Sequence, residues 1–313
     1  MTAVLIILGV LLLLLFLSGL VFELALIRRG VSLKPPHKGG VVSPMLAPTG
    51  EELWAYNIPK LKAFNDMETE TLHITSNDGL RLSAKLHRGS SDITVICFHG
   101  YKSAAVYDFC AISEMYRDMG ANLVFPDMRA HGDSEGRYIG FGVLDSDDVC
   151  LWVEKVRKLL PDTSIYLHGM SMGAAAVMQA SDKLPEGAVC GIIADCGFAS
   201  AGEVFRRLIG ELVHLPAFPF VGIFELWNRL LAGYDFSSHD SCKSLANTRI
   251  PFVYICGDCD RYVPEALARR IFDSCASQKH LLISHGTGHA ASYMRDTEKY
   301  RTLVTEFIEN HRR

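Results

Sequence analysis

No lysine or arginine precedes Arg28, and no acidic residue lies between Glu23 and Glu51. A secretory signal peptide would carry a basic start and a small-residue A-x-A cleavage site, and neither is present. No G-x-G-x-x-G follows a strand-like run, and no phosphate-binding P-loop occurs, so no cofactor is expected. The net charge of −4 is small and leaves no footprint for nucleic acid. There is no internal repeat and no low-complexity tract. The nine cysteines are odd in number and irregular in spacing, so they form no disulfide framework. Cys256 and Cys259 have C-x-x-C spacing, but no second pair completes a zinc site, and no metal is expected.

From Ala3 to Phe22 the chain is apolar apart from Gly9, Ser18 and Gly19. About 20 such residues in helical rise match the roughly 30 Å hydrocarbon core of a bilayer. Residues 1–29 are therefore expected to be one uncleaved transmembrane anchor. Arg28, Arg29, Lys34 and Lys38 follow the run, and the positive-inside rule then puts the rest of the chain in the cytoplasm. Residues 30–69 hold a Gly- and Pro-rich linker and a short lead-in helix over 51–66.

From about residue 70 strands and helices alternate. Thr71–Thr75 and Leu80–Leu86 flank Asn77-Asp78-Gly79, a hairpin signal. Apolar strands then recur at Ile93–Phe98, Asn122–Pro126, Ser164–Leu167, Cys190–Ala194, Phe252–Cys256 and His280–Ile283, separated by helical patterns such as Ala104–Met119. The pattern predicts an α/β fold with a mostly parallel, doubly wound sheet, an opening antiparallel hairpin and helices on both faces. Residues 197–248 exceed a normal connection and are expected to form a short helical lid, rich in apolar residues from Leu215 to Phe224.

In such sheets ligands bind beyond the carboxyl ends of the strands. Those ends carry the polar residues: His99-Gly100-Tyr101, Asp127 to Gly136, Gly169-Met170-Ser171-Met172-Gly173, Asp195, Gly257 to Pro264, and His285 to Ala290. Ser171 sits between two glycines on a strand-to-helix turn, the setting of a nucleophile elbow. A serine needs an adjacent base, and the last loop offers His285 and His289. Asp195, Asp258 and Asp260 compete as the third member.

In these motifs (H-G-x, D-x-R-x-H-G-x-S-x-G, G-x-S-M-G, G-x-x-D-x-x-V-P and G-x-G-H-A, in that order) the chain from about residue 70 to its end resembles the α/β-hydrolase superfamily. Within it the chain looks most like small bacterial hydrolases with one N-terminal span and a short lid, near the dienelactone-hydrolase and bile-acid acyltransferase-like branches. One departure is Ala130, where the family often has glycine. The resemblance implies a serine hydrolase, carboxylesterase- or lipase-like, that cleaves an ester or thioester through an acyl-enzyme. It implies Ser171 as nucleophile, His289 as base and Asp260 as acid. It also implies the backbone N–H groups of Tyr101 and Met172 as oxyanion donors. The expected partners are a small-molecule or lipid ester and a membrane. A peptidase or acyltransferase with the same triad, or a silent binding protein on the same fold, remains the alternative.

Overall fold

The computed structural model describes residues 2–28, 50–212, 214 and 216–313. Within α1, side chains are described at 9–10, 13–21, 23–25 and 27. The expected linker at 30–49, with Lys34 and Lys38, and Leu215 of the lid lie outside the described residues.

In chain order the elements are α1 (Thr2–Ile27), α2 (Gly50–Asn65), β1 (Glu70–Thr75), β2 (Arg81–His87), β3 (Ile93–Phe98), α3 (Ala105–Asp108), α4 (Ile112–Asp118), β4 (Asn122–Pro126), α5 (Asp145–Leu159), β5 (Ser164–Met170), α6 (Met172–Ala180), β6 (Gly191–Asp195), α7 (Ala201–Leu212), α8 (Ala217–Ala232), α9 (Ser241–Asn247), β7 (Phe252–Gly257), α10 (Glu265–Ser274), β8 (Lys279–Ser284), α11 (Ser292–Arg295) and α12 (Thr297–His311). The eight strands form one sheet in the order β1-β2-β4-β3-β5-β6-β7-β8. β1 pairs antiparallel with β2, and β2 antiparallel with β4; every later pair is parallel. The opening hairpin thus forms one edge of an otherwise parallel sheet.

The strands β3, β4, β5, β6 and β7 are buried along their whole length. That is why they read as unbroken apolar runs rather than as alternating ones. Two apolar cores lie on the two faces. One gathers Trp152, Val153 and Val156 of α5 with the small residues of α6. The other gathers Met115 and Tyr116 of α4 with Tyr300, Val304 and Phe307 of α12. The small side chains of α6 matter for position. A Cβ on Gly173 would come within 2.0 Å of the Phe98 carbonyl oxygen, so only glycine lets α6 sit this close to β3.

Two expectations need correction. The helix foreseen over Ala104–Met119 is two pieces, α3 and α4. The break lets the Asp108 carboxylate turn back to accept the Gly100 N–H at 2.7 Å and the Ser103 hydroxyl at 2.7 Å. The other concerns the N-terminal run. Among the described residues no helix is long and apolar enough to cross a membrane, so the structure gives the single-pass anchor no support. α1 does run through that stretch, but its second half is spent on the fold. The Phe16 ring lies 4.6 Å from Trp227 of α8, whose indole N–H donates to the Phe16 carbonyl at 3.0 Å. A Cβ on Gly19 would meet Ile223 at 2.4 Å, the close approach a small residue allows. Further on, the Ala25 carbonyl accepts Lys102 Nζ and the Ile27 carbonyl accepts the Ile139 N–H, each at 2.6 Å.

Gly173→Ala is expected to lower stability by about 1–3 kcal/mol through overpacking against β3, read as a lower urea midpoint with unchanged slope. An unchanged midpoint would show that α6 and β3 have room the structure does not give them.

Candidate active site

Ser171 stands on the turn between β5 and α6 with φ 52° and ψ −108°, a strained conformation for a residue with a side chain. The sheet holds it there. Its N–H donates to the Asp195 carbonyl at 2.8 Å, and its carbonyl accepts the Ala175 N–H at 3.0 Å. Met172 opens α6, so its N–H has no carbonyl of its own helix to bond.

His289 follows β8, and Asp260 follows β7. The His289 Nδ1–H donates to Asp260 Oδ2 at 2.6 Å, which leaves Nε2 to accept the Ser171 hydroxyl at 2.8 Å. The other oxygen of Asp260 accepts the N–H groups of Tyr262 and Val263, at 2.7 and 3.0 Å. The carboxylate is therefore fixed by its own loop before it orients the imidazole. Both side chains are buried. Burial alone would lower the His289 pKa. The charge and hydrogen bond of Asp260, helped by Asp195 and Asp108, outweigh it and hold the imidazole above its ordinary value.

The rivals go elsewhere. His285 is 82 % exposed in its side chain and bonds Asp258 at 2.9 Å. Asp258 also accepts the Gly286 N–H at 2.8 Å, so it braces its neighbouring loop. Asp195 is buried, and burial pushes its carboxyl up to about 7. It accepts the Tyr300 hydroxyl at 3.1 Å, and Tyr300 in turn contacts His168 at 3.1 Å. Cys256 is buried within β7 while Cys259 is exposed, so the C-x-x-C pair does not converge.

Tyr101 lies beyond β3, and a Cβ on the preceding Gly100 would lie 3.4 Å from the Ser171 Cβ. The two motif histidines hold its loop by accepting backbone N–H groups. His99 Nε2 accepts from Met128 at 3.1 Å, and its Nδ1–H donates to the Gly100 carbonyl at 2.8 Å. His131 Nε2 accepts from Lys102 at 3.0 Å, and its Nδ1–H donates to the Arg129 carbonyl at 2.9 Å. Burial pulls the His99 pKa down to about 4, which keeps it neutral and able to accept. Arg129 is buried and paired with Asp148 at 2.8 Å and with Asp78 at 3.1 Å, anchoring the second rim loop.

Sequence reasoning missed three neighbours. Asp108 clamps the Gly100 N–H and so sets the peptide that leads into Tyr101. The Tyr262 ring covers the His289 imidazole with centroids 4.8 Å apart. The Cys196 thiol approaches His289 Nε2 at 3.8 Å and Met170 Sδ at 3.7 Å. Only Asp108 carried a usable signal, as an acid within one turn of a rim loop. Cys196, Asp260 and His289 each offer a donor atom within 4.8 Å of the others, a set that could hold a metal ion. Both ring nitrogens of His289 are already engaged, by Asp260 and Ser171.

The pH dependence of Ser171 reactivity tests this electrostatic arrangement. To accept the Ser171 proton His289 must be neutral, and its pKa is raised. Reaction with a neutral phosphonate ester should therefore rise with pH through a midpoint above about 6.5, the usual histidine value. In Asp260→Asn most of the raising effect goes and burial remains. The midpoint should fall, and the limiting rate should drop by roughly 10⁴-fold. A midpoint that does not move in Asp260→Asn would show that this carboxylate does not govern His289.

Comparison with known proteins agrees with the architecture. The family model described as alpha/beta hydrolase fold matches residues 93–210. An uncharacterized protein of Bacillus subtilis, YqkD, is 28% identical over 257 residues, covering 80% of this chain and 82% of its own. An uncharacterized membrane protein of Saccharomyces cerevisiae is 22% identical over 250 residues, 76% of this chain and 79% of its own. An esterase of Pyrococcus furiosus superposes with a TM-score of 0.66 at 22% identity, over 90% of this chain and 99% of that one. Est1E of Butyrivibrio proteoclasticus, solved with ferulic acid bound, superposes with a TM-score of 0.60 at 20% identity, over 77% and 98%. With the strand order, the elbow and the rim loops together, these matches show that the chain has the α/β-hydrolase fold, with the family model matching its residues 93–210.

Proposed function

We propose that the protein is a serine hydrolase that cleaves a carboxylic ester or thioester through an acyl-enzyme. One observation carries the reading: a single imidazole bonded at Nδ1 to Asp260 and at Nε2 to Ser171. In the first half-reaction His289 takes the Ser171 proton as Oγ attacks the carbonyl carbon, then passes it to the leaving alcohol or thiol. In the second it takes a proton from the water that attacks the acyl carbon, then returns it to Ser171 Oγ as the acid departs. The oxyanion of each tetrahedral intermediate points to the N–H groups of Tyr101 and Met172. The catalytic unit is taken as residues 70–313 with a lid at about 197–248. The superposed esterases support the class of reaction, and YqkD adds no activity of its own.

The membrane reading is also a proposal. The run Ala3–Phe22 leaves Val10, Leu13, Leu14, Leu17 and Val21 exposed on α1. On the lid helix α8, which packs against α1, Leu226 and Leu230 are exposed, and Phe218 is 86 % exposed. Apolar surface of this kind on two adjoining helices suits a bilayer better than water. A membrane relative in yeast points the same way. The basic residues after the run would keep the catalytic unit on the cytoplasmic side.

Ser171→Ala should leave the fold intact and cut kcat on p-nitrophenyl esters by several orders of magnitude, as loss of a triad serine does elsewhere. Retained turnover would remove Ser171 from the chemistry. Burying one lid side chain is worth roughly 1.5–3 kcal/mol, so medium-chain acyl esters are expected to exceed acetate by more than about tenfold in kcat/KM. A steady fall beyond butyrate would make the lid mere cover over a short-chain site. Leu13→Lys with Leu17→Lys, at positions already exposed, should abolish co-flotation of the chain with phospholipid vesicles. Flotation that survives both changes would refute membrane association through α1.

A further inference from the structure

The Tyr101 N–H can serve an oxyanion only if the loop after β3 keeps one conformation. On its upstream side Asp108 holds the Gly100 N–H at 2.7 Å. On its downstream side stands Lys102, with φ 49° in the left-handed region that a residue with a Cβ enters at a cost. Two bonds keep Lys102 there. Its N–H donates to His131 Nε2 at 3.0 Å, and its ammonium donates to the Ala25 carbonyl of α1 at 2.6 Å. The same ammonium lies 5.2 Å from the centroid of the Tyr101 ring, within reach of its face.

The carboxyl end of α1 is suited to this contact. The last carbonyls of a helix have no N–H one turn further on, and they carry the negative end of its dipole. α1 has no basic residue in its last turn, so the cation comes from across the fold. The end itself is fixed. Ile27 is buried in the main core, and its carbonyl accepts the Ile139 N–H at 2.6 Å. Arg28 pairs with Tyr138 in an antiparallel bridge. Just beyond, Phe141 also has a positive φ, 48°, and its ring stacks on Tyr101 at 5.1 Å. Tyr101 is thus held between Lys102 and Phe141, and the segments of both are tied to the end of α1.

We propose that Lys102 is a positioning residue of the oxyanion hole, tying the Tyr101 loop to the carboxyl end of α1. The last turn of α1 then belongs to the working site, although it lies outside residues 70–313. A bond that only balanced the charge at a helix end would change stability and leave the chemistry alone. A bond that aims an oxyanion donor acts in the transition state, because the charge on oxygen develops there and not in the bound ester. Its loss should appear in kcat and not in KM. The inference rests on the hydrolase reading and does not need the membrane reading.

Lys102→Met keeps the apolar stem and removes the ammonium. In the full-length protein kcat on p-nitrophenyl butyrate should fall by roughly 10- to 100-fold with KM within about twofold, since a misplacement of about 1 Å can cost that much. Lys102→Arg keeps a cation at the helix end and should stay within about threefold of wild type. The pH midpoint of phosphonate labelling should not move in either variant, because the acids around His289 set it. A trifluoromethyl ketone adds to a serine hydroxyl and leaves a negative oxygen at the oxyanion position. Its inhibition constant should rise in Lys102→Met by the factor by which kcat falls. The proposal is overturned if Lys102→Met keeps kcat within about twofold, or if its loss comes with a shifted pH midpoint. It is also overturned if Lys102→Arg, with a wild-type urea midpoint, is as impaired as Lys102→Met. Wild-type turnover in the same assay leaves the hydrolase reading standing in each case.

Discussion

The hydrogen bond from His289 Nδ1 to Asp260 Oδ2 fixes which way the imidazole faces, and the rest of the site is arranged around that choice. At 2.6 Å between two buried groups it leaves Nε2 no role but to accept, and the Ser171 hydroxyl is what it meets. A free imidazole in so buried a place would favour neutrality. The acid reverses that bias and favours the protonated imidazole, which is what the proposed proton transfer needs.

Three separate segments must arrive together for this bond to exist, and each is held by backbone. Asp260 is clamped by the N–H groups that follow it. Ser171 is pinned to the end of β6 through Asp195. The loop at Tyr101 is set by Asp108 and by two histidines that accept main-chain N–H groups. The strain at Ser171 is tolerated because parallel strands on either side of β5 and a closely packed α6 leave it no alternative. These polar contacts decide where Ser171, His289 and Asp260 stand.

Much of this was legible in the sequence. Five buried strands announce themselves as unbroken apolar runs, and the motif residues fall where those runs end. That periodicity cannot choose between acids two residues apart. Asp258 and Asp260 differ only in direction: one carboxylate folds back onto Gly286, the other reaches the imidazole. Nor can it see Tyr262 over His289, or Cys196 beside it, since strands distant in sequence bring them there. The break between α3 and α4 escaped for a similar reason, because a tertiary bond to Gly100 overrides local helical preference. The N-terminal run is the sharpest case. Its length and apolarity read as a span, yet nothing in the pattern marks Phe16 to Ile27 as packing on α8 and the rim. Only Gly19, which lets Ile223 approach, hints at it.

The central claim is that Ser171 is the one activated nucleophile, and covalent mapping tests it most directly. The full-length protein treated with a fluorophosphonate should gain a single adduct. Peptide mass spectrometry should locate that adduct on Ser171, and Ser171→Ala should gain none. An adduct on another residue, or one that persists in Ser171→Ala, would contradict the account.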